Sequence, residues 1–375
     1  MFPQTPRVTP VRVAVVSSAR WSSFHLTKQL VATALAQRAH QVLYVDPPVS
    51  PGSVVRHPRR WRDLLGPRSF EGTDGVRVWR PLLFPGQNQE LVQRVNARAQ
   101  LAGLGRHLGP PDLTIVFSLE GRGLLARVGG HRVFYVTDSA ADLPGAHPQT
   151  RAWEDALIAS AHTVIACSPP LVADLQDRGV DPVYLPHGCD RSFIVTRSTV
   201  PDRLADLPRP LLGYVGSVNF RIDTTLLEEV LSLGTIVVIG GAFGRAPEPR
   251  AQRFLAHPRV VTMGHCPPEL LPDYVAALDV GLVPYSMIPF NRKSSPAKIL
   301  QYLGAGLPVV STPNGATDEL GKAVRVAHDP KSFAAAVGEA LDDRTPQAAQ
   351  ARRDIARSRS WESVAARIED LCRTN

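Results

Sequence analysis

The chain has 375 residues, 44% of them hydrophobic, with four cysteines and a formal charge of +8. That length favours two domains of ordinary size, and the apolar share excludes a chain disordered throughout. The cysteines, at 167, 189, 266 and 372, lie far apart with no Cys-x-x-Cys pair, which argues against a disulfide framework or a thiolate zinc site and fits a reducing cytoplasm.

The first residues, MFPQTPRVTP, have no charged head followed by an apolar core, so no secretory signal is expected there. No apolar run approaches the roughly 20 residues that span a bilayer. The expected location is cytoplasmic, or peripheral on the inner membrane face. Residues 1–200 hold 22 Arg and Lys against 15 Asp and Glu, and residues 201–375 hold 20 against 19. Almost all the excess charge therefore lies in the first half, densest in RHPRRWRDLLGPR at 56–68. Its mixture of arginines with Trp61, Leu64 and Leu65 suits an anionic surface, either phospholipid headgroups or an acceptor phosphate. The same stretch also reads as a solvated arginine-rich loop. No nucleic-acid-binding module accompanies it, so nucleic acid is not an expected partner.

In chain order, β-like runs fall at 11–18, 41–46, 76–79, 113–118, 132–137 and 163–167, with helix candidates at 24–39, 91–108 and 151–160. Short β-branched runs alternating with helices predict parallel strands in βαβ units. After a polar stretch at 195–210 the pattern restarts, with runs at 211–217, 235–241, 259–264, 279–284, 308–312 and 323–327. The terminal segment 347–371 has a helical pattern with Trp361, Val364, Ile368 and Leu371 on one stripe. The expected fold class is α/β, two doubly wound Rossmann-like domains facing a central cleft. The domains are expected at 1–200 and 201–355, with a helix over 356–375 packing back toward the first. Ligands of such folds bind at the carboxyl ends of the strands.

One stretch carries chemistry beyond the fold: SSPAKILQYLGAGLPVVSTP at 294–313. Ser295 is the expected cap and Pro296 the first turn of a helix running to about 303, ended by Gly304 and Gly306. The helix start offers unpaired N–H groups and partial positive charge. Lys298 in that first turn opposes the dipole unless an anion sits there as well. Lysine is scarce, five against 37 arginines. A pyrophosphate would satisfy the amides, the hydroxyls of Ser294 and Ser295, and Lys298 together. Gln301, three residues on and on the same face, could reach a sugar hydroxyl. A capped surface helix with Lys298 and Gln301 in solvent remains the plainer alternative.

SPAKILQYLGAGLPVVSTP resembles the donor-binding segment of GT-B glycosyltransferases of the "glycosyl transferases group 1" kind. The resemblance extends through LLGYVGSVNFRID (211–223), VVTMGHCPPELLPDYVAALDVGLVPY (260–285), VYLPHGCDRSF (183–193) and RWSSFHLTKQLVATALAQRAHQVLYVDPP (20–48), in the right order over most of the chain. It implies a nucleoside diphosphate sugar as co-substrate, a UDP-sugar first of all, and no separate cofactor or metal. Lys298 would neutralise the diphosphate, and Gly216, Ser217 and Arg221 would approach the phosphates or the sugar. Gly264 and His265, with Cys266, would border the base, and Tyr285 closes the segment framing the pocket. Gln301 stands where a glutamate usually binds ribose hydroxyls; it still offers an acceptor but without charge assistance. The retaining members' other glutamate falls at Lys293, so both are missing. A Lys-x-x-Gln helix is closer to glucuronosyltransferases of exopolysaccharide assembly, and with Arg292, Lys293 could hold a sugar carboxylate.

An inverting transfer needs a base for the acceptor hydroxyl. Asp138, just past the run RVFYVT, is the first choice, because in similar proteins a carboxylate follows this strand; Asp142 and Glu120 are reserves. His25, near the start of the first helix, is a second catalytic candidate, or else a structural histidine. Arg20 and Trp21 on the same loop are acceptor-binding candidates. His187 and Asp190 read as structural. The acceptor expected is a lipid-linked saccharide or another cell-envelope precursor; a small natural product is the alternative, as are a silent nucleotide-sugar-binding protein and a sugar-nucleotide epimerase. IGGAFGR (239–245) lacks the G-x-G order and a following acid, which sets aside a nicotinamide enzyme.

Overall fold

Residues 9–22, 27–48, 67–86, 89–194, 200–240 and 249–373 are described by a computed structural model of the chain. The chain forms two compact units. The first comprises Met1–Cys167, Val172–Leu185 and Val364–Asn375; the second comprises Ser168–Leu171 and Pro186–Ser363.

The first unit is built on β1 (Arg12–Val16), β2 (Gln41–Val45), β3 (Ser69–Glu71), β4 (Arg77–Trp79), β5 (Leu113–Val116), β6 (His131–Val136), β7 (Thr163–Ala166) and β8 (Val183–Tyr184). They lie in the order β3-β4-β2-β1-β5-β6-β7-β8, and every pairing is parallel except β3 on β4. The inner strands show unbroken burial, as in Val13–Val16 and Leu113–Val116, because both sheet faces are covered. That is why they read as continuous apolar runs. Helices α1 (Thr27–Gln37), α2 (Glu90–His107) and α3 (Thr150–Ser160) fall where periodicity predicts them. Strands β3 and β8, of three and two residues, are too short to show a period and lie at the sheet edges.

The second sheet has six parallel strands: β9 (Leu211–Val215), β10 (Thr235–Ile239), β11 (Val260–Gly264), β12 (Val280–Val283), β13 (Val309–Ser311) and β14 (Val324–Val326). Their order is β11-β10-β9-β12-β13-β14. Each coincides with an expected apolar run. Helices α4 (Ala297–Gly304) and α5 (Pro330–Asp342) belong to this unit; Asp329 and Ser332 form a reciprocal capping box at the start of α5.

The terminal segment corrects one expectation. The pattern over 347–371 is not a single helix but two, α6 (Pro346–Arg357) and α7 (Trp361–Arg373). The break at 358–360 is fixed by Cys189, whose N–H donates to the Arg359 carbonyl at 2.6 Å and which bridges Ser360. Trp361, Val364 and Ile368 are buried as the stripe predicts. In the last turns Glu369 receives both arms of Arg38, at 2.5 and 2.8 Å, and lies 2.8 Å from His40 Nε2, fastening residues 364–373 to the first unit. Among the described residues, no helix is long and apolar enough to cross a membrane.

Candidate functional site

In the second sheet the chain runs outward from β9 through β10 to β11, then returns to begin β12 on the other side of β9. Such a reversal opens a crevice at the carboxyl ends of β9 and β12. The loops that follow them are laced together. Ser286 N–H donates to the Arg221 carbonyl at 2.8 Å, Asp223 N–H to the Pro284 carbonyl at 2.9 Å, and Ile222 bridges Tyr285.

Helix α4 is brought to this point by Tyr302. Its hydroxyl accepts the Val215 N–H at 2.8 Å and donates to the Gly213 carbonyl at 3.3 Å, at the end of β9. A Cβ on Gly281 would lie 2.4 Å from the Tyr302 ring, so only glycine lets the helix sit this close to β12. One turn earlier, on the same face, stands Lys298. Its Nζ lies 4.3 Å from the Tyr214 ring centroid and 5.1 Å from that of Tyr285. A Cβ on Gly216, whose φ is +135°, would come within 3.0 Å of that ammonium. Glycine there serves both the backbone turn and the lysine's approach.

Arg221 completes the cationic pair. Its Nε donates to Asn291 Oδ1 at 2.9 Å and its Nη2 to Ser294 Oγ at 3.1 Å, while the guanidinium lies over Tyr285 and Phe290 at 4.6 and 4.9 Å. Asn291, only 1% exposed, also donates to the Arg221 carbonyl and to the Ser286 carbonyl, so it grips Arg221 at both ends. These acceptors are neutral. Among the described residues, no carboxylate forms an ion pair with Lys298 or Arg221. Lys298 keeps a partly open surface, yet burial first and Arg221 second hold its ammonium well below the usual lysine pKa. Two cations sharing Tyr285 without an acidic partner form a site that favours an anion.

The start of α4 differs from expectation. Its N-cap is Pro296, with ψ at +109° and no capping side chain, so Ser295 is not the cap and Pro296 is not in the first turn. Ser294 instead donates back to the Asn291 carbonyl at 2.9 Å, closing the short helix Pro289–Lys293. The first N–H groups of α4 therefore lack a side-chain cap, which strengthens the anion-binding character of this end.

The remaining expected residues are distributed around these. Ser217 accepts the Tyr214 hydroxyl at its carbonyl, at 3.1 Å. Gln301 is half-buried one turn beyond Lys298, and its side chain makes no hydrogen bond among the described residues. Gly264 ends β11 with φ +70°, beside exposed His265 and buried Cys266. The Lys293 carbonyl accepts the Ser168 hydroxyl at 2.6 Å.

In the first sheet the reversal falls between β1 and β5. Arg20 and Trp21 follow β1. Trp21 is 8% exposed, stacked edge-on to Tyr44 at 5.0 Å, and a Cβ on Gly72 would meet its ring at 2.7 Å. Its ring is packed as core. Its N–H donates to Asp46 Oδ1 at 2.8 Å, and both Nε and Nη2 of Arg80 reach Asp46 Oδ2 at 3.1 Å. Burial raises the Asp46 pKa against those opposing bonds. Glu120 follows β5 with an open surface; crowding by protein raises its pKa against the pull of Arg122. Asp138 follows β6, half-buried, with Thr137 Oγ1 3.4 Å from Oδ2; Ser139 donates to Asp142 at 2.7 Å. In the second unit, Asp190 caps the turn Arg191–Phe193 through the Ser192 N–H, and the His187 ring lies 6.1 Å from that of Trp361. His25, most of the basic stretch 56–68 (residues 56–66) and most of IGGAFGR lie outside the described residues.

Asn291, Tyr214, Asp46 and Arg80 carry much of this geometry and were not singled out in the sequence. Tyr214 stands in LLGYVGS two residues before Gly216, which is a usable signal; the other three join partners 34 to 70 residues away.

Two parallel-sheet Rossmann-like units make the fold GT-B, and residues 209–343 match the family model described as "Glycosyl transferases group 1". Among relatives, the chain is 26% identical over 185 residues to the putative teichuronic acid biosynthesis glycosyltransferase TuaH of Bacillus subtilis. That match covers 47% of this chain and 46% of the relative, so it spans about half of each. Among solved structures, the sucrose-phosphate synthase of Thermosynechococcus elongatus has a TM-score of 0.76 at 17% identity, covering 96% of this chain and 98% of that one. Anabaena HepE in complex with UDP-glucose has a TM-score of 0.72 at 15% identity, covering 97% and 100%. A UDP-forming trehalose-phosphate synthase from Burkholderia xenovorans in complex with glucose-6-phosphate gives 0.70 at 15%, covering 96% and 100%. The family match and the relative support a glycosyltransferase enzyme.

Proposed function

We propose that the chain is a glycosyltransferase that moves a sugar from a nucleoside diphosphate sugar, in the first place a UDP-sugar, to an acceptor hydroxyl. The acceptor proposed is a lipid-linked saccharide or another cell-envelope precursor, handled at the inner face of the membrane. The observation that carries the reading is the pair Lys298 and Arg221, held at the β9/β12 crevice by aromatic rings and neutral acceptors, beside an uncapped helix start. A diphosphate offers the two negative charges and the acceptor oxygens this arrangement is short of.

In the transfer, charge builds on the diphosphate as the bond to the sugar breaks. Lys298, Arg221 and the first amides of α4 are already aimed at one region, so they stabilise that charge without reorganising. Gln301, with its side chain uncommitted, takes a hydroxyl of the nucleoside or sugar. Gly264 and His265 border the base, and Arg292 with Lys293 would suit an acidic sugar, in line with a relative named for teichuronic acid biosynthesis. Asp138 accepts the proton of the attacking hydroxyl, with His25 as the other candidate and Arg20 on the acceptor side. Support for uridine as the base comes from two of the similar structures, whose titles name UDP-glucose and a UDP-forming synthase.

The test is release of nucleoside diphosphate from a panel of UDP-sugars, with and without saccharide and lipid-linked acceptors. The reading predicts acceptor-dependent release that disappears in Lys298→Ala. UDP binding without turnover on any acceptor would leave a nucleotide-sugar-binding protein; turnover of the sugar without acceptor would indicate an epimerase.

A further inference from the structure

The outward face of α2 is unlike that of an ordinary surface helix. Asn96, Ala97, Gln100, Gly103 and Leu104 are its buried side. At 100° per residue the opposite stripe carries Leu91, Val95, Ala99 and Ala102, interleaved with Arg94, Arg98 and Arg106. Leu91 is 74% exposed and Val95 41%. Beside the first turns of this helix a loop adds Phe84 at 63% and Leu82 at 51% exposure.

That loop is held in place. Asn96, buried at 2%, accepts the Phe84 N–H at 2.9 Å and donates to the Phe84 carbonyl at 3.0 Å, while the Gln89 N–H donates to the Gly86 carbonyl at 2.8 Å. Buried hydrogen-bonding capacity is thus committed to keeping an exposed phenylalanine in position. Its exposure is built in.

Charge identifies the occupant. Between residues 76 and 111 there are five arginines and one carboxylate, Glu90, and that carboxylate is paired with Arg94. Arg77 and Arg80 are engaged by Glu71 and Asp46. Arg98 and Arg106 form no ion pair among the described residues. A face of isolated aliphatic and aromatic side chains threaded with guanidinium groups matches an anionic bilayer surface. The headgroups meet the arginines while the Leu and Phe side chains reach the acyl boundary. Nucleic acid would use the cations but not the aliphatic residues.

We propose that the outward face of α2 and the Leu82–Phe84 loop dock the protein on an anionic phospholipid surface. This site is separate from the donor crevice and does not rest on the transferase reading.

The experiment is cosedimentation of the full chain with vesicles of phosphatidylglycerol in phosphatidylcholine, against phosphatidylcholine alone. Binding to the anionic vesicles only, weakened by salt, is expected. The double variant Phe84→Glu, Leu91→Glu should lower vesicle affinity at least ~10-fold, since each apolar anchor removed matters by about that factor. Arg98→Gln with Arg106→Gln should lower it about fivefold per charge. All four positions are exposed, so melting temperature and UDP binding should stay at wild-type values. Equal binding by wild type and variants overturns the proposal, as does indifference to the anionic lipid. So does a concentration-dependent dimer that the glutamate variants dissolve while vesicles are ignored. Because UDP binding is read separately, failure here leaves the donor site standing, and failure there leaves this surface standing.

Discussion

The two crevices of this molecule treat charge in opposite ways. In the second unit, Lys298 and Arg221 are held by Tyr214, Tyr285, Phe290, Asn291 and Ser294, none of which carries negative charge. In the first unit, the carboxylate nearest β1 is closed off: Asp46 is covered, hydrogen-bonded to the Trp21 amide and gripped by Arg80. Asp138 and Glu120, at the ends of β6 and β5, keep open surface instead. A site with surplus positive charge waits for an anion, whereas carboxylates left accessible beyond a balanced pair are free to exchange protons. One polypeptide of repeated βα units thus carries a leaving-group site on one sheet and a base candidate on the other. The difference lies entirely in the loops after the strands.

The comparison breaks most visibly at Asp138. Asp138→Asn should lower turnover by about 10²–10⁴-fold while leaving UDP affinity unchanged, measured by steady-state kinetics beside calorimetry. Unimpaired turnover would move the base elsewhere, with Glu120 next.

Lys298→Met should weaken UDP binding by about 10–100-fold, the usual worth of a charge-assisted hydrogen bond. The same variant should raise the melting temperature by ~2–4 °C, for roughly 1 kcal/mol regained when a penalised buried charge is removed. The sign follows from the depressed pKa. Between that value and the ordinary lysine value of 10.5, the unfolded chain holds a proton the native protein lacks, so native stability rises with pH across that window. Methionine should flatten that rise, which pH-dependent thermal denaturation reads directly.

Asn291→Asp keeps the side-chain shape but places a carboxylate against Arg221. It should weaken UDP about tenfold with no loss of fold, because the arginine then has its counter-ion within the protein. Smallest of all, Gln301→Glu should tighten a nucleoside diphosphate sugar by only a few fold, through one charge-assisted contact to a hydroxyl. No change would remove Gln301 from the donor site.

Much of this architecture could be read in the sequence because parallel strands buried on both faces leave continuous apolar runs, and twelve of the fourteen described strands announced themselves so. The exceptions, β3 and β8, are edge pieces of three and two residues. Lys298 was legible through its rarity and its awkward place at a helix start. The cap was misread because a serine before a proline has the right composition whether or not its hydroxyl turns forward; here Ser294 turns back and Pro296 stays extended. Asn291 was illegible for a different reason. Its role is to grip an arginine 70 residues earlier, and no local pattern records a contact of that range.

The most direct measurement is titration calorimetry of uridine, UMP and UDP against the wild-type chain and Lys298→Met. If the β9/β12 crevice is a diphosphate site, affinity should climb steeply from uridine to UDP in the wild type, and the climb should collapse in the variant. Equal affinity for uridine and UDP, or a variant that binds UDP as the wild type does, would contradict it.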